Sequence, residues 1–159
     1  MSSLSPSAQK VQDTLKTLGF NNEVIESTVS SRTAAEAAER VGCDVGQIVK
    51  SLIFKGSGSV KAILVLTSGA NRVDEKLIGS YSGEKVQRAD PEFVRTVTGF
   101  AIGGVPPIGH LNPLETYIDD DLIEYSEIWA AAGTPNALFK LTPVDLQRMT
   151  HGKVIKVKS

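Results

Sequence analysis

The chain has 159 residues and a formal net charge of −1 at pH 7, with 41% hydrophobic and 22% charged residues. These values are typical of one folded domain, here residues 1–159, and exclude a disordered chain. The small net charge does not indicate a bulk nucleic-acid binder, although a local basic patch can still attract an anion. The apolar runs are too short to span a membrane, and MSSLSPSAQK lacks an apolar signal core, so we expect a cytoplasmic protein.

The first 50 residues are predicted to form three helices and one strand. Capping residues and terminal glycines mark the helices, and apolar residues at helical spacing support the first of them. In chain order, the elements are a helix from Ser5–Pro6 to Gly19, a strand at Glu23–Thr28, a helix from the Thr33–Glu36 capping box to Gly42, and a short helix, DVGQIVK, begun by Asp44 and Gln47.

The rest of the chain interleaves strands with helices. In chain order, the elements are the strands SLIFK and KAILVLT joined by GSGSV, a helix capped by Asp74, the helix EFVRTVTG begun by Asp90–Pro91, the strand TYID, the strands IWAAA and ALFKL joined by Gly133–Asn136, a helix capped by Thr142, and the strand KVIKV. Because several strand pairs are hairpins, this pattern favours an α+β domain with a curved sheet over a doubly wound fold.

Cysteine and histidine are scarce. Cys43 is the only cysteine, and His110 and His151 are the only histidines. A single cysteine excludes an internal disulfide, and the histidines have no metal-ligand spacing with acids or with Cys43. The run Asp119–Asp121 lacks EF-hand spacing and is interpreted as a turn with solvated carboxylates. We therefore expect neither a metal nor another cofactor.

The stretch GFAIGGVPPIGH, residues 99–110, combines four glycines with two adjacent prolines. Gly103 and Gly104 allow a ligand to approach the backbone, while Pro106 and Pro107 stiffen the connection. Such a rigid ridge of exposed N–H and C=O groups suits an oxyanion or a sugar phosphate, and a plain connector is the alternative. The stretch has neither a Gly-Lys-Ser/Thr ending nor a dinucleotide-binding fingerprint.

Lys50 in QIVKSLIFK lies among apolar residues where a capped helix is predicted to meet a strand. A lysine in such surroundings needs an anionic partner or a role, and a surface lysine at a strand end is the alternative. The segment SGANRVDEKL places Asn71 and Arg72 at the C-terminal edge of a strand. Asp74 is interpreted as a structural helix cap.

Four segments occur in a characteristic order, namely KSLIF, LVLTSGANRVDEKL, GFAIGGVPPIGH and EIWAAAGTPNALFKLTPVDL. Together they resemble the YbaK/aminoacyl-tRNA-synthetase-associated domain family over roughly residues 33–157. Its members are free-standing relatives of the editing domain inserted in bacterial prolyl-tRNA synthetases. The resemblance implies a curved, barrel-like mixed sheet flanked by helices. It also implies hydrolysis of the ester that joins a wrong amino acid to tRNA, commonly alanine or cysteine on tRNA(Pro).

The resemblance also implies the site residues. Lys50 matches the lysine that members need for deacylation, and GGVPP, residues 103–107, matches a G-x-x-x-P loop lining the pocket. The sequence departs at Pro106, where cysteine-clearing members carry a small polar residue, and this argues against cysteine as the substrate. The predicted catalytic residues are Lys50, Gly103 and Gly104, and the predicted substrate-binding residues are Asn71, Val105, Pro106, Pro107, His110 and Thr134.

The sequence shows no Ser-His-Asp series and no His-paired Cys, so we hypothesise a mechanism without a strong protein nucleophile. The N–H groups of Gly103 and Gly104 would stabilise the oxyanion, and Lys50 would hold the terminal phosphate or the ester oxygens. The free 2′-hydroxyl of the terminal ribose would align the attacking water.

The expected partner is the acceptor end of a mischarged tRNA, with prolyl-tRNA synthetase as a further candidate. We expect no membrane and no DNA partner, and either a monomer or a homodimer. Three alternatives stay open: a non-catalytic module that binds the tRNA end or a synthetase, a sequence-independent nucleic-acid protein, and a thiol hydrolase using Cys43.

Overall fold

A computed structural model describes residues 4–29, 31 and 33–158. Within these residues, five α-helices flank one mixed sheet of eight strands. The helices are α1 (Pro6–Thr17), α2 (Ala34–Val41), α3 (Glu75–Ser82), α4 (Pro91–Thr98) and α5 (Pro143–Thr150). The strands are β1 (Val24–Glu26), β2 (Ile48–Gly56), β3 (Ala62–Ser68), β4 (Val86–Arg88), β5 (Glu115–Asp119), β6 (Ile128–Ala131), β7 (Ala137–Leu141) and β8 (Lys153–Ile155).

Four helices begin at the side-chain caps that the sequence predicted. In each, a hydroxyl or carboxylate oxygen accepts a hydrogen bond from a backbone N–H of the first turn, which would otherwise have no partner within the helix. These caps depend only on neighbouring residues, which is why the sequence was sufficient to predict them. The capping residues are Thr33, Asp74, Asp90 and Thr142.

Two predicted helix starts need correction. Helix α1 begins at Pro6 as predicted, but the Ser5 hydroxyl does not cap it and instead donates to the Glu26 carboxylate over 2.6 Å. The predicted short helix DVGQIVK is only a single 3₁₀ turn, Val45–Gln47. The residues that follow are already in β2, because pairing with neighbouring strands outweighs continuation of a short helical turn.

The sheet is mixed and open. Its strand order is β1-β7-β6-β2-β3-β5-β8, with β4 pairing β2 outside this path. The predicted hairpins β2–β3 and β6–β7 are antiparallel, whereas β6 runs parallel to β2, and β5 runs parallel to β3. The predicted α+β architecture is confirmed. A closed barrel is not formed, since β1 and β8 are the two ends of the path within the described part of the chain.

One edge of β2 is interrupted. Strand β3 pairs with β2 along residues 49–55 of its other edge. On the interrupted edge, β6 pairs only with Ile48 and Val49, while β4 pairs only with residues 54–56. The N–H of Ala89 donates to the Ile53 carbonyl over 3.0 Å, just before β4 pairing begins. Residues 50–52 therefore lie in a gap between β6 and β4, and β4 is a strand that the sequence analysis missed.

Apolar side chains cover both faces of the sheet. Alternate residues of β2 point to opposite faces, so Val49 and Ile53 join one cluster of buried residues while Phe54 joins another. Helix α1 contributes Val11 and Leu15 to the first cluster, which also covers much of β3. Among the described residues, no helix has the length and apolar character needed to cross a bilayer.

The acidic run after β5 is only partly the solvated turn that the sequence predicted. Asp120 is exposed, but Asp119 is 1% exposed. The Asp119 carboxylate accepts hydrogen bonds from the Thr67 hydroxyl at 3.0 Å, the Ser68 N–H at 2.9 Å and the Asn71 carboxamide at 2.8 Å. These bonds satisfy a buried charge and connect the end of β5 to the end of β3.

Candidate functional site

A cavity of about 670 Å³ opens at the gap in the sheet. The middle of β2, the end of β4, the start of α2, the loop after α4 and the turn between β6 and β7 form its wall. Its volume is in the range of small-molecule sites. The predicted site residues on this wall are Lys50, Gly103, Val105 and Thr134, and the described polar wall residues that were not predicted as site residues are Ser31, Thr33, Ser51 and Arg88.

Lys50 is a half-buried residue of β2 and lines the cavity beside the gap in the sheet. Burial lowers the pKa of its ammonium, and the charge of Arg88 lowers it further. Among the described residues, no carboxylate forms an ion pair with this ammonium. Lys50 is therefore a partly desolvated cation that a bound anion would stabilise.

Arg88 is the second cation of the cavity wall. It is exposed at the end of β4, and its guanidinium lies 5.9 Å from the centre of the Phe54 ring. The described wall residues include no Asp or Glu, so both charges of the wall are positive. This arrangement attracts anions into the cavity. The sequence analysis had no means of finding Arg88, because it did not predict β4 or its pairing with β2.

The lowered pKa of Lys50 predicts how stability depends on pH. The unfolded chain retains this proton up to the ordinary pKa of 10.5, while the folded protein releases it at a lower pH. Between these two pKa values the unfolded state binds more protons, so the free energy of unfolding rises with pH. We expect Lys50→Met to lose this contribution. Urea unfolding of both proteins from about pH 8 to 11 measures it, and identical pH slopes would contradict the assigned environment of Lys50.

Three hydrogen bonds hold the middle of the glycine–proline loop, residues 101–107, among the described residues. The Gly104 N–H donates to Ala101 O over 3.0 Å, and the Gly133 N–H donates to Gly104 O over 2.9 Å. The third joins His110 Nε2 to the Pro106 carbonyl oxygen over 2.7 Å. Since this carbonyl can only accept, Nε2 carries the proton, and burial lowers the pKa of His110 and favours the neutral ring. These bonds restrain the loop in the same region where Pro106 and Pro107 predict stiffness.

Only part of this loop is the exposed ridge that the sequence predicted. Residues 101–103 are exposed, whereas residues 104–108 are buried. Gly104 has to be glycine because a Cβ there would lie 2.7 Å from the Thr134 Cα. Its N–H is used within the loop and is not available to a ligand. Gly103, at φ +91°, lines the cavity, and its N–H makes no hydrogen bond to any described residue.

Four of the predicted substrate-binding residues lie off the cavity wall. Pro106 and Pro107 are buried within the loop, and the His110 ring holds the Pro106 carbonyl. The Asn71 carboxamide donates to the Asp121 carboxylate over 2.7 Å as well as to Asp119, on the other side of β3's C-terminal end. These side chains shape the loop or join strand ends, and none of the four lines the cavity.

Thr134 is on the wall, but its hydroxyl already has protein partners. It donates to a Glu26 carboxylate oxygen over 3.3 Å and accepts from the Asn136 N–H over 3.2 Å. The sequence analysis placed Thr134 in a turn beside the pocket, and the structure has it there between β6 and β7. Its contribution to the cavity is the shape of this turn.

Cys43 lies off the cavity wall and is half-buried. Burial and the neighbouring Asp44 carboxylate raise the pKa of its thiol, which disfavours the reactive thiolate. The Cys43 Sγ is 3.4 Å from the Asp44 carbonyl oxygen. The environment is that of a small packed side chain, and it offers no activation for a thiol hydrolase.

The protein is an α+β protein with a cavity whose described charged wall residues are cations, set in a gap of a mixed sheet. Residues 28–149 match the family model of the aminoacyl-tRNA editing domain. The chain belongs to this family, and the resemblance drawn from the four sequence segments is confirmed.

Individual relatives agree with this assignment. The chain is 35% identical over 133 residues to the uncharacterised protein YwhH of Bacillus subtilis, covering 84% of each. It is 28% identical over 126 residues to EbsC of Enterococcus faecalis, whose name proposes a Cys-tRNA(Pro)/Cys-tRNA(Cys) deacylase, covering 79% of this chain and 76% of EbsC. A solved structure of a proposed trans-editing enzyme for prolyl tRNA synthetase superposes with a TM-score of 0.94 at 52% identity, covering 99% of both chains.

Proposed function

We propose that this protein is an aminoacyl-tRNA deacylase that acts in trans, hydrolysing the ester of a small amino acid on mischarged tRNA. The observation that carries the proposal is a cavity whose described wall residues include two cations and no Asp or Glu, together with a Gly103 N–H that no described residue accepts. An aminoacylated tRNA end offers an anionic phosphate next to an ester carbonyl, which matches these groups. The names of EbsC and of the superposed trans-editing protein support the same reaction.

Lys50 and Arg88 hold the phosphate of the terminal adenosine in this proposal. The Lys50 ammonium is a compact charge, and the Arg88 guanidinium can donate two parallel hydrogen bonds to phosphate oxygens. Lys50 is more buried than Arg88. In this proposal, Lys50 therefore also contacts the ester oxygen, which has to be shielded from water. Its charge gains most from an anion because the surroundings are partly desolvated.

The apolar part of the wall selects the amino acid. Val49, Ile53, Val94, Val105 and Ala131 contribute methyl groups to it. Since one methylene changes binding by only about 1–3 kcal/mol, such a wall favours small side chains but separates alanine from cysteine weakly. Pro106 is the position at which the sequence differs from cysteine-clearing members of the family, and it does not line the cavity. In this proposal it affects the shape of the loop and not the contact with the amino-acid side chain of the substrate.

Hydrolysis needs no protein nucleophile in this arrangement. A water oxygen bonds to the ester carbonyl carbon, the carbon–oxygen bond to the ribose breaks, and a proton passes to the ribose 3′ oxygen. The Gly103 N–H donates to the oxyanion, while Gly104, whose own N–H is used in the loop, positions Gly103. The 2′-hydroxyl of the substrate aligns the water, so a 2′-deoxy terminal adenosine should be cleaved slowly.

The partner in this proposal is the acceptor end of tRNA, with tRNA(Pro) as the first candidate. The cavity accommodates only the terminal aminoacyl-nucleotide, so identity elements beyond it have to be read by the surface around the cavity or by a synthetase. The superposed structure's connection to prolyl tRNA synthetase supports tRNA(Pro) and makes that synthetase the candidate partner.

The proposal is tested by a deacylation panel. The purified protein is incubated with tRNA(Pro), tRNA(Ala) and tRNA(Cys) carrying alanine, cysteine, serine, threonine or proline, and release of the amino acid is followed over many turnovers. We expect catalytic release of alanine or cysteine from tRNA(Pro) and protection of prolyl-tRNA(Pro). Stoichiometric, strongly salt-dependent binding without turnover would instead identify a tRNA-end binding module.

A further inference from the structure

Four hydroxyl-bearing side chains of the described residues line the cavity, and two of these hydroxyls have no hydrogen-bond partner within that part of the chain. Thr33 accepts from the N–H of Glu36 as the cap of α2, and the Thr134 hydroxyl is engaged as described above. In contrast, the Ser31 and Ser51 hydroxyl oxygens are buried and make no hydrogen bond to a described residue. Buried hydroxyls are nearly always paired, so an unpaired one beside a cavity indicates a ligand partner.

Ser51 also presents its backbone to the gap in the sheet. The Ile53 carbonyl accepts from Ala89 on the interrupted edge, and backbone groups of a strand return to the same edge every second residue. The N–H and C=O of Ser51 therefore point to this edge, between the last residue paired with β6 and the first paired with β4. Ser51 thus brings three polar groups to one place on the wall.

We propose that Ser51 binds the α-amino group of the aminoacyl ester and is a specificity-determining residue of this site. This inference rests on the proposed function. An α-amino group needs oxygen acceptors, and the described wall residues provide no carboxylate for it. The Ser51 hydroxyl and carbonyl oxygens are acceptors on the same cavity wall as Lys50, although the two side chains leave opposite faces of β2. Ser31 lies outside the sheet, and its N–H already donates to the Pro135 carbonyl over 3.0 Å.

The test compares an alanyl ester with a propionyl ester, which lacks only the α-amino group, on the same tRNA(Pro). After each kcat/KM is divided by the uncatalysed hydrolysis rate of the same ester, we expect the wild-type protein to prefer the alanyl ester by about tenfold, the value of one good hydrogen bond. Ser51→Ala is expected to lower this preference to about twofold or less by slowing only the alanyl reaction. An unchanged preference in Ser51→Ala would overturn the proposal.

A matched variant separates binding from folding. The Ser68 hydroxyl is also buried, but it donates to the Gly46 carbonyl over 2.7 Å and lies off the cavity wall. Ser68→Ala is expected to lower the melting temperature and keep the alanyl preference. Ser51→Ala removes an unpaired hydroxyl, so its melting temperature should equal or exceed that of the wild type. A clear loss of stability in Ser51→Ala would show a structural role and count against the proposal.

A binding measurement keeps this inference distinct from the proposed reaction. The probes are 3′-alanylamino-3′-deoxyadenosine and its 3′-propionylamino counterpart, which are amides and resist hydrolysis. One possible result is that the protein hydrolyses no ester, yet binds the alanyl probe about tenfold more tightly than the propionyl probe and loses this difference in Ser51→Ala. In that case the proposed function fails and the Ser51 assignment holds. If the wild type shows no preference between these probes, the Ser51 assignment fails.

Discussion

Replacing Lys50 with Ala is expected to lower kcat/KM for deacylation of mischarged tRNA by about 10²–10³-fold, while the protein stays folded. Lys50 is half-buried at the cavity and has no carboxylate partner among the described residues, so its removal breaks no ion pair. What is lost is the charge that stabilises the bound phosphate and the developing oxyanion. Single-turnover deacylation of alanyl-tRNA(Pro) measures the loss of rate, and thermal unfolding measures whether the variant stays folded.

Lys55 is a matched control on the same strand. It is also half-buried, but it lies over the Phe93 ring at 4.9 Å and does not line the cavity. Lys55→Ala is therefore expected to retain deacylation within about threefold, because its charge lies outside the cavity and contacts no bound substrate group. An undiminished rate in Lys50→Ala would refute the role assigned to this lysine. Equal losses in both variants would point to a general effect of positive charge on tRNA binding.

Gly133→Ala is expected to be the most destabilising of the substitutions considered, lowering the free energy of unfolding by about 3 kcal/mol. A Cβ at this position would lie 2.6 Å from the Ser7 carbonyl oxygen, and φ is +98°, where alanine is strained. The Gly133 N–H also donates to Gly104 O and so attaches the turn to the glycine–proline loop. Displacing Gly133 therefore moves Gly103 as well, and we expect deacylation to fall with stability.

Gly83 is a control that separates backbone strain from the steric contact with Ser7. It has a similar positive φ of +87°, but a Cβ there would meet nothing within 4 Å. Gly83→Ala is therefore expected to cost only the backbone strain, about 1 kcal/mol, and to leave deacylation unchanged. Urea unfolding of both variants gives the two values. If Gly133→Ala were no more destabilising than Gly83→Ala, the contact with Ser7 would not be a constraint on the site.

The backbone N–H groups of Gly103 and Gly104 differ in the structure. From sequence, Gly103 and Gly104 are equivalent donors in GGVPP, yet only the Gly103 N–H has no partner among the described residues. Which N–H is free depends on the turn that Ala101 to Gly104 adopts and on its contact with Gly133. Such hydrogen bonds follow from the approach of two loops that are about 30 residues apart in the chain, and no local pattern records them.

The sequence by itself determined the features that depend on near neighbours. Helix starts at Thr33, Asp74, Asp90 and Thr142, the β2–β3 hairpin and the stiffness of the glycine–proline loop all follow from caps, turns and backbone limits within a few residues. The order of four segments was sufficient to identify the family. The presence of Lys50 at a cavity with Gly103 was likewise expected from these segments, and the structure places both on one wall.

Only the tertiary structure decided how β2 is bordered. The separate pairing of β6 and β4 leaves a gap beside residues 50–52, where the cavity opens with Arg88 on its wall. The Ser51 hydroxyl at this gap has no hydrogen-bond partner among the described residues. The tertiary structure also places the Asn71 carboxamide against Asp119 and Asp121, off the cavity wall. The physical reason is that strand pairing joins segments far apart in the chain, and its register depends on the packing of the whole sheet rather than on local propensity.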